Sequence, residues 1–261
     1  MKVYEMMSEL GKLPAGDEIA IPAILRCGGA CKGQVMEDGW NHTDPETITW
    51  AEIEEIGKAG RAREVFKLGD TKTVTLTTGE KVVLRIIGFD HDDLADGSGK
   101  APISWDMVGV LDDDHSMNVK PTNKGGWADC DMRAFLSNDL FEKLPDDLKE
   151  VIKPVFKLTG VGGESEELAK TSDKLWILSE REQYGRSFYS APGEGKWYEF
   201  YRQEDAPWDR RYKNGEGDRA WYFLRSPYLG NSASFCAVGS GGTRNYDGAS
   251  DSYGVAVGFA V

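Results

Sequence analysis

Trp221-Tyr222-Phe223-Leu224-Arg225-Ser226-Pro227 and Val255-Ala256-Val257-Gly258-Phe259-Ala260-Val261 bracket the stretch that decides the fold. Both ends are rich in aromatic and β-branched residues, which predicts strands. Between them the chain is mostly Gly, Ser, Asn, Asp, Thr, Arg and Tyr, interrupted by the apolar piece Phe235-Cys236-Ala237-Val238. From Tyr222 to Val261 there is no Lys, Glu, Gln, Met or Trp, although the rest of the chain uses all five. Tyr supplies rigid contact area, and Ser, Gly and Asn supply adaptable hydrogen bonds, so this is the composition of a binding surface. The competing reading is a glycine-rich surface loop.

The bulk properties set the limits. A chain of 261 residues holds one large domain or two small ones and needs no disulfides to fold. Its net charge of −13 makes nucleic acid a poor partner. No apolar run reaches across a bilayer, so no membrane partner is expected. Met1-Lys2-Val3-Tyr4-Glu5 carries no apolar signal core, so secretory export is not expected either. Cys27 and Cys31 flank Gly-Gly-Ala but have no partner pair at zinc-site spacing. Cys130 and Cys236 read as buried small hydrophobes. The acidic loop Asp90–Gly97 fails the calcium-loop spacing, because Leu94 stands where an oxygen ligand belongs and no Glu closes it. It reads as a solvated turn, as does Asp112-Asp113-Asp114. No metal and no cofactor are expected.

Working outward, the periodicity predicts an α+β chain. Residues 2–11 read as a helix and Glu18–Leu25 as a strand. Thr49-x-x-Glu52 has the form of a capping box opening a helix with Ile53, Ile56 and Ala59 inward, closed by Gly60. Lys72–Thr78 and Lys81–Phe89 form a predicted hairpin. Asp129–Leu144 is the strongest helix, capped by Asp129, with Met132, Phe135, Leu136 and Leu140 as its buried stripe. Leu144-Pro145 stops it and starts a helix carrying Leu148, Val151 and Ile152. Lys174–Leu178 reads as a short strand, and Ser179-x-x-Glu182 as a second capping box before Gly185. Residues 186–219 are irregular.

The order of motifs resembles a domain family of unassigned activity found in phage, prophage and gut-bacterial proteins. The motifs are Phe66-Lys67-Leu68-Gly69-Asp70, Ile86–Asp92, Gly125-Gly126-Trp127, Met132-Arg133-Ala134-Phe135-Leu136, Asp173–Glu180, Glu182-Gln183-Tyr184-Gly185 and Trp221–Ser226, with Phe235 and Gly254-Val255. The resemblance covers residues 65–261 and rests on their order rather than on any one of them. It implies a C-type-lectin-like α+β domain, with residues 1–64 as a segment for attachment or oligomerisation. Some members are variable proteins of diversity-generating retroelements. Such elements randomise adenines, mostly in AAY codons, and NNY codons cannot encode Lys, Glu, Gln, Met or Trp.

The resemblance thus implies a receptor-recognition protein of a phage particle, diversified over residues 222–254. Its ligand would be a protein or glycan on a bacterial host. Residues 1–64 would join other particle subunits or a second copy of the chain. The candidate contact residues are Tyr222, Tyr228, Asn231, Ser232, Ser234, Arg244, Asn245, Tyr246, Asp247, Ser250, Asp251, Ser252 and Tyr253, with Tyr228, Tyr246 and Tyr253 as anchors. Trp221, Leu224, Phe235, Val238, Val255, Val257 and Phe259 form the expected core side, and Arg225 anchors the loop base. Two alternatives stand beside this reading: a structural particle subunit without its own ligand, and an enzyme related to the formylglycine-generating oxidases. No residue is assigned as catalytic.

Overall fold

The computed structural model describes residues 42–203, 211–213 and 219–261, all within the compact unit Gln34–Val261. The helix 2–11, the strand 18–25 and the Cys27/Cys31 pair lie outside the described residues. The architecture is α+β with small antiparallel sheets. Four strands, Thr71–Thr75, Lys81–Phe89, Ile103–Met107 and Gly258–Ala260, make the main sheet in that order. Three more, Arg244–Gly248, Ser234–Val238 and Tyr222–Pro227, make a second sheet with Ser234–Val238 at its centre. Val155–Gly160 and Leu168–Asp173 form a hairpin of their own.

The Thr71–Thr75 strand alternates buried and exposed as its sequence does, because one face lies on the core. The last strand is shorter than Val255–Val261. It pairs at its centre Phe259 with Trp105. Trp50, Trp105 and Phe259 pack together, with Trp50 meeting the other two edge-on at 5.2 and 5.8 Å. Trp50 belongs to the helix Trp50–Lys58, which has both reciprocal bonds of the Thr49/Glu52 capping box. This helix buries Ile53 and Ile56 in the same core as the last strand. Ala59 is not part of that stripe.

 Ala59 caps the C-terminal end instead and stays exposed.

The segment Asp131–Lys143 is helical throughout, but its middle turn, Leu136–Leu140, is π-helical. The wider turn puts Met132, Leu136 and Leu140 on one buried line at a spacing of four. Phe135 is left half-buried, stacked on His115 at 4.2 Å. Cys130 rather than Asp129 caps this helix, its Sγ accepting from Arg133 N at 3.4 Å. Leu140, Leu144 and Leu148 face Val74, Leu84 and Phe259 of the main sheet, and Val257 just before its last strand. Lys174–Leu178 is no regular strand. Leu175 to Leu178 are all buried, and Trp176 is held by a two-way backbone bridge to Gly258 at 3.0 and 2.7 Å.

Asp173 ties three of the sequence motifs together. It accepts from Trp127 Nε1 at 3.1 Å, from Arg133 Nε at 2.6 Å and from Thr171 Oγ1 at 2.5 Å. Gly126, just before Trp127, has φ +58, and an added Cβ would stand 1.9 Å from Gly160 O. Only glycine fits there.

Candidate functional site

The strand Arg244–Gly248 is the outer edge of the three-stranded sheet. Gly239 N donates to Thr243 O at 2.9 Å, and Ala249 N to Ala233 O at 2.8 Å. Backbone N–H groups of residues two apart point the same way along a strand. Asn245 and Asp247 therefore turn their N–H groups to the neighbouring strand, and Tyr246 and Gly248 turn theirs outward. Both outward groups are taken by the preceding side chain: Tyr246 N donates to Asn245 Oδ1 at 2.9 Å, and Gly248 N to Asp247 Oδ1 at 2.8 Å.

Side chains alternate across the same strand. On one face, the Tyr246 ring stacks on Tyr228 with centroids 3.9 Å apart. Tyr189 meets both rings edge-on, at 5.2 and 5.8 Å. Arg244 lies 3.5 Å over the Phe188 ring. Phe188 is 46% exposed and Tyr246 38%, so this aromatic group opens to solvent.

Two buried polar residues hold it in place. Glu180 accepts from the backbone N–H groups of Phe188, Tyr189 and Ser190 and from Ser190 Oγ, at 2.8–3.3 Å. Asn123 Nδ2 donates to the carbonyls of Tyr228, Asn231 and Ser234 at 3.1, 2.9 and 2.7 Å. The other Asn123 side-chain atom, Oδ1, accepts from Gly163 N at 2.8 Å.

The remaining sequence-predicted residues divide. Tyr253 goes to the opposite face, stacked on Trp221 at 5.6 Å and edge-on to Phe223 at 5.2 Å. Its hydroxyl donates to Asp247 Oδ2 at 2.5 Å, and that bond, with burial, pushes the phenol up to about 12. The three anchor tyrosines therefore do not share one surface. Tyr222 and Ser234 are buried and cannot be contacts. Tyr222 packs under the helix Glu180–Tyr184, its hydroxyl accepting from Gln183 Nε2 at 2.8 Å. Ser234 sits in the central strand beneath the tyrosine stack, and its carbonyl binds Asn123. Asn231 turns its Oδ1 back to Ala233 N at 2.8 Å. Ser232, Ser250, Asp251 and Ser252 are exposed. Trp221 is half-buried, whereas Leu224, Phe235, Val238, Val255, Val257 and Phe259 are buried.

Beneath the sheets lies a buried charged network. Arg225 pairs with Glu182 and donates to Ile177 O and Thr159 Oγ1, each at 2.9 Å. Lys157 Nζ donates to Asp92 Oδ1 and Tyr198 OH, each at 2.7 Å, and lies 3.5 Å from Glu182 Oε1. Tyr198 and Ser104 donate to Asp92 Oδ2 at 2.8 and 2.7 Å. Burial works against the Asp92 charge, yet Lys157 and His91 hold its carboxyl down at about 2. The Asp90–Gly97 loop is thus not wholly a solvated turn, because Asp92 points inward to meet a buried lysine. Glu194 is the opposite case. Burial pushes its carboxyl up to about 7, against hydrogen bonds from Ser226 and Gly160 N. Cys130 and Cys236 are buried in separate apolar clusters, and burial pushes the Cys130 thiol up to about 12 and that of Cys236 well up.

The model of the family described as "Domain of unknown function (DUF6273)" matches residues 94–261. The chain belongs to this family. No curated protein and no solved structure matches it. The match takes in the tyrosine stack, Asn123, Glu180 and the Glu182–Arg225 pair. Asp92 and the helix Trp50–Lys58 lie before it, although that helix shares the core of the DUF6273 domain. The sequence holds no local signal for Asn123, whose side-chain amide donates to carbonyls more than a hundred residues away. Glu180 stands inside the Ser179-x-x-Glu182 capping box, and its role in holding residues 188–190 was open to view only once the loop was folded.

Proposed function

We propose that this DUF6273 domain is a ligand-binding module whose contact surface is the aromatic platform of Phe188, Tyr189, Tyr228, Arg244 and Tyr246. The observation that carries this reading is the Tyr228–Tyr246 stack, open to solvent yet fixed from below by Asn123 and Glu180. Aromatic rings and Arg carry a disproportionate share of interface energy, and a platform ordered before binding loses little entropy on contact. Ser232, Ser250, Asp251 and Ser252 form a polar margin that can vary without touching the core.

In the fuller form of the proposal, the domain is C-type-lectin-like and sits on a phage or prophage particle. It recognises a protein or glycan on a bacterial host, and a retroelement diversifies its exposed positions. The support is the motif order and the missing residue types after Tyr222. A near-copy of the 3′ coding segment differing only at adenines, beside a reverse transcriptase gene, tests the diversification. Binding of the labelled domain to a panel of bacterial cells tests recognition, and replacement of Tyr246 by Ala must reduce it. The separation of Tyr253 from Tyr246 favours a second reading, in which the platform docks on another particle subunit. Binding to purified particles lacking this protein, with none to cells, distinguishes it. The oxidase alternative has less support, since protonated, buried thiols are poor nucleophiles and metal ligands.

A further inference from the structure

A cavity of about 330 Å³ opens beside the strand Val155–Gly160, away from every residue of the aromatic platform. Its floor is the Asp92–Lys157–Glu182 network, whose charges satisfy one another. Four lysines line the cavity against three carboxylates, in a chain whose net charge is −13. Lys100 is engaged: it pairs with Asp93 at 2.6 Å and donates to His91 O at 3.0 Å. Lys170 and Lys196 are exposed and form no ion pair among the described residues, although Lys196 acts at longer range on Asp93 and helps to hold its carboxyl down. Lys170 reaches over the Phe156 ring, 3.4 Å from its centroid.

His91 is the second pointer to a ligand. Its ring stacks on Tyr198 at 3.9 Å, and neither ring nitrogen has a hydrogen-bond partner among the described residues. Burial lowers its pKa, Asp92 works against that, and Lys157 adds to it. A neutral imidazole offers one donor and one acceptor, the pair a sugar hydroxyl needs. Phe156 and Leu158 give the cavity an apolar wall, and Leu158 is 40% exposed.

We propose that this cavity binds a carboxylated sugar of one or two rings. Lys170 and Lys196 take the carboxylate, His91 takes a ring hydroxyl, and Phe156 and Leu158 pack on the apolar face of the ring. The volume is in the range of small-molecule sites, roughly 300–1,000 Å³. Two exposed ammonium groups at an open rim suit a carboxylate that arrives from solvent. The site shares no residue with the platform, so either can fail without the other.

The test is an NMR titration of the His91 imidazole with glucuronate, galacturonate and N-acetylneuraminate, with glucose as the neutral control. At least one acid is expected to shift the His91 resonances and leave those of His115 unmoved, while glucose shifts neither. The K170A/K196A double variant should keep its melting temperature, since both side chains are exposed, and bind that acid about tenfold more weakly for want of two charge-assisted bonds. The proposal is overturned if none of the three acids moves His91 up to about 50 mM, a level that detects even very weak binding. Equal shifts by glucose, or undiminished binding by the double variant, overturn it as well.

Discussion

Arg225 and Glu182 stand 43 residues apart in sequence and form a two-point pair inside the domain, Arg225 Nη2 donating to Glu182 Oε1 at 2.7 Å and Nη1 to Oε2. Both side chains are buried, and the pair joins the strand Tyr222–Pro227 to the helix Glu180–Tyr184. Removing one partner strands the other charge in the interior. Arg225→Met is therefore expected to cost about 3–5 kcal/mol by urea unfolding. An R225M/E182L double variant should lose less than the two single losses added together, and simple additivity would contradict the pairing.

Glu194 sets a pH dependence. Its folded pKa of about 7 lies above the ordinary glutamate value of 4.5, so the folded state binds the extra proton between these values. Its contribution to stability therefore grows as pH falls from 7 toward 4.5, by about 3 kcal/mol in full. His91 works the other way in part of this range, because its pKa is lowered in the fold. The comparison with Glu194→Gln isolates the carboxyl. The variant should melt higher than the natural protein at pH 8, with the advantage gone by pH 5. Below pH 3.8 both should lose stability as Asp92 takes up a proton, toward its folded value of about 2.

Asn123→Ala removes the amide that holds the carbonyls of Tyr228, Asn231 and Ser234. The expected loss is about 1–3 kcal/mol, the usual cost of leaving buried groups unsatisfied. Hydrogen exchange should rise across residues 228–234 and stay unchanged in the main sheet. A uniform rise would mean that Asn123 serves the fold at large rather than this loop.

Asn245 and Asp247 cover the outward N–H groups of an edge strand, and an open edge is a template for pairing with another chain. The N245A/D247A double variant should therefore associate at lower concentration than the natural protein in sedimentation velocity. Unchanged association would show that the two side chains do not guard the edge.

Much of the fold was legible because it is local. The Thr49/Glu52 and Ser179/Glu182 boxes, the hairpin after Asp70 and the strand Tyr222–Pro227 all follow from residues within a few positions of one another. The role of Arg225 as the anchor of the loop base could also be read, since an Arg in an apolar strand must find buried partners. The site was less legible. Alternation separates Tyr246 from Asp247 in any strand, but which positions are strand depended on the pairing of Thr243 with Gly239. Composition could not show that Tyr222 lies beneath a helix or that Tyr253 lies against Trp221. Phe188 and Tyr189, outside the Tyr/Ser/Gly/Asn stretch, were missed because a buried carboxylate 8 and 9 residues earlier brings them to the platform.

The most direct test compares Tyr246→Ala with Tyr253→Ala in the binding of the fluorescent domain to a panel of bacterial cells, read by flow cytometry beside thermal melts. Tyr246 is open to solvent, stacked on Tyr228 and edge-on to Tyr189, so its loss should cost about 1–3 kcal/mol of stability and yet reduce binding by the folded domain tenfold or more. Tyr253 is tied to Trp221 and Asp247, so its loss should lower the melting temperature and leave binding by the folded fraction near that of the natural protein. If Tyr246→Ala binds as well as the natural protein, or no cell in the panel binds either, the platform is not the contact surface and the account is wrong at its centre.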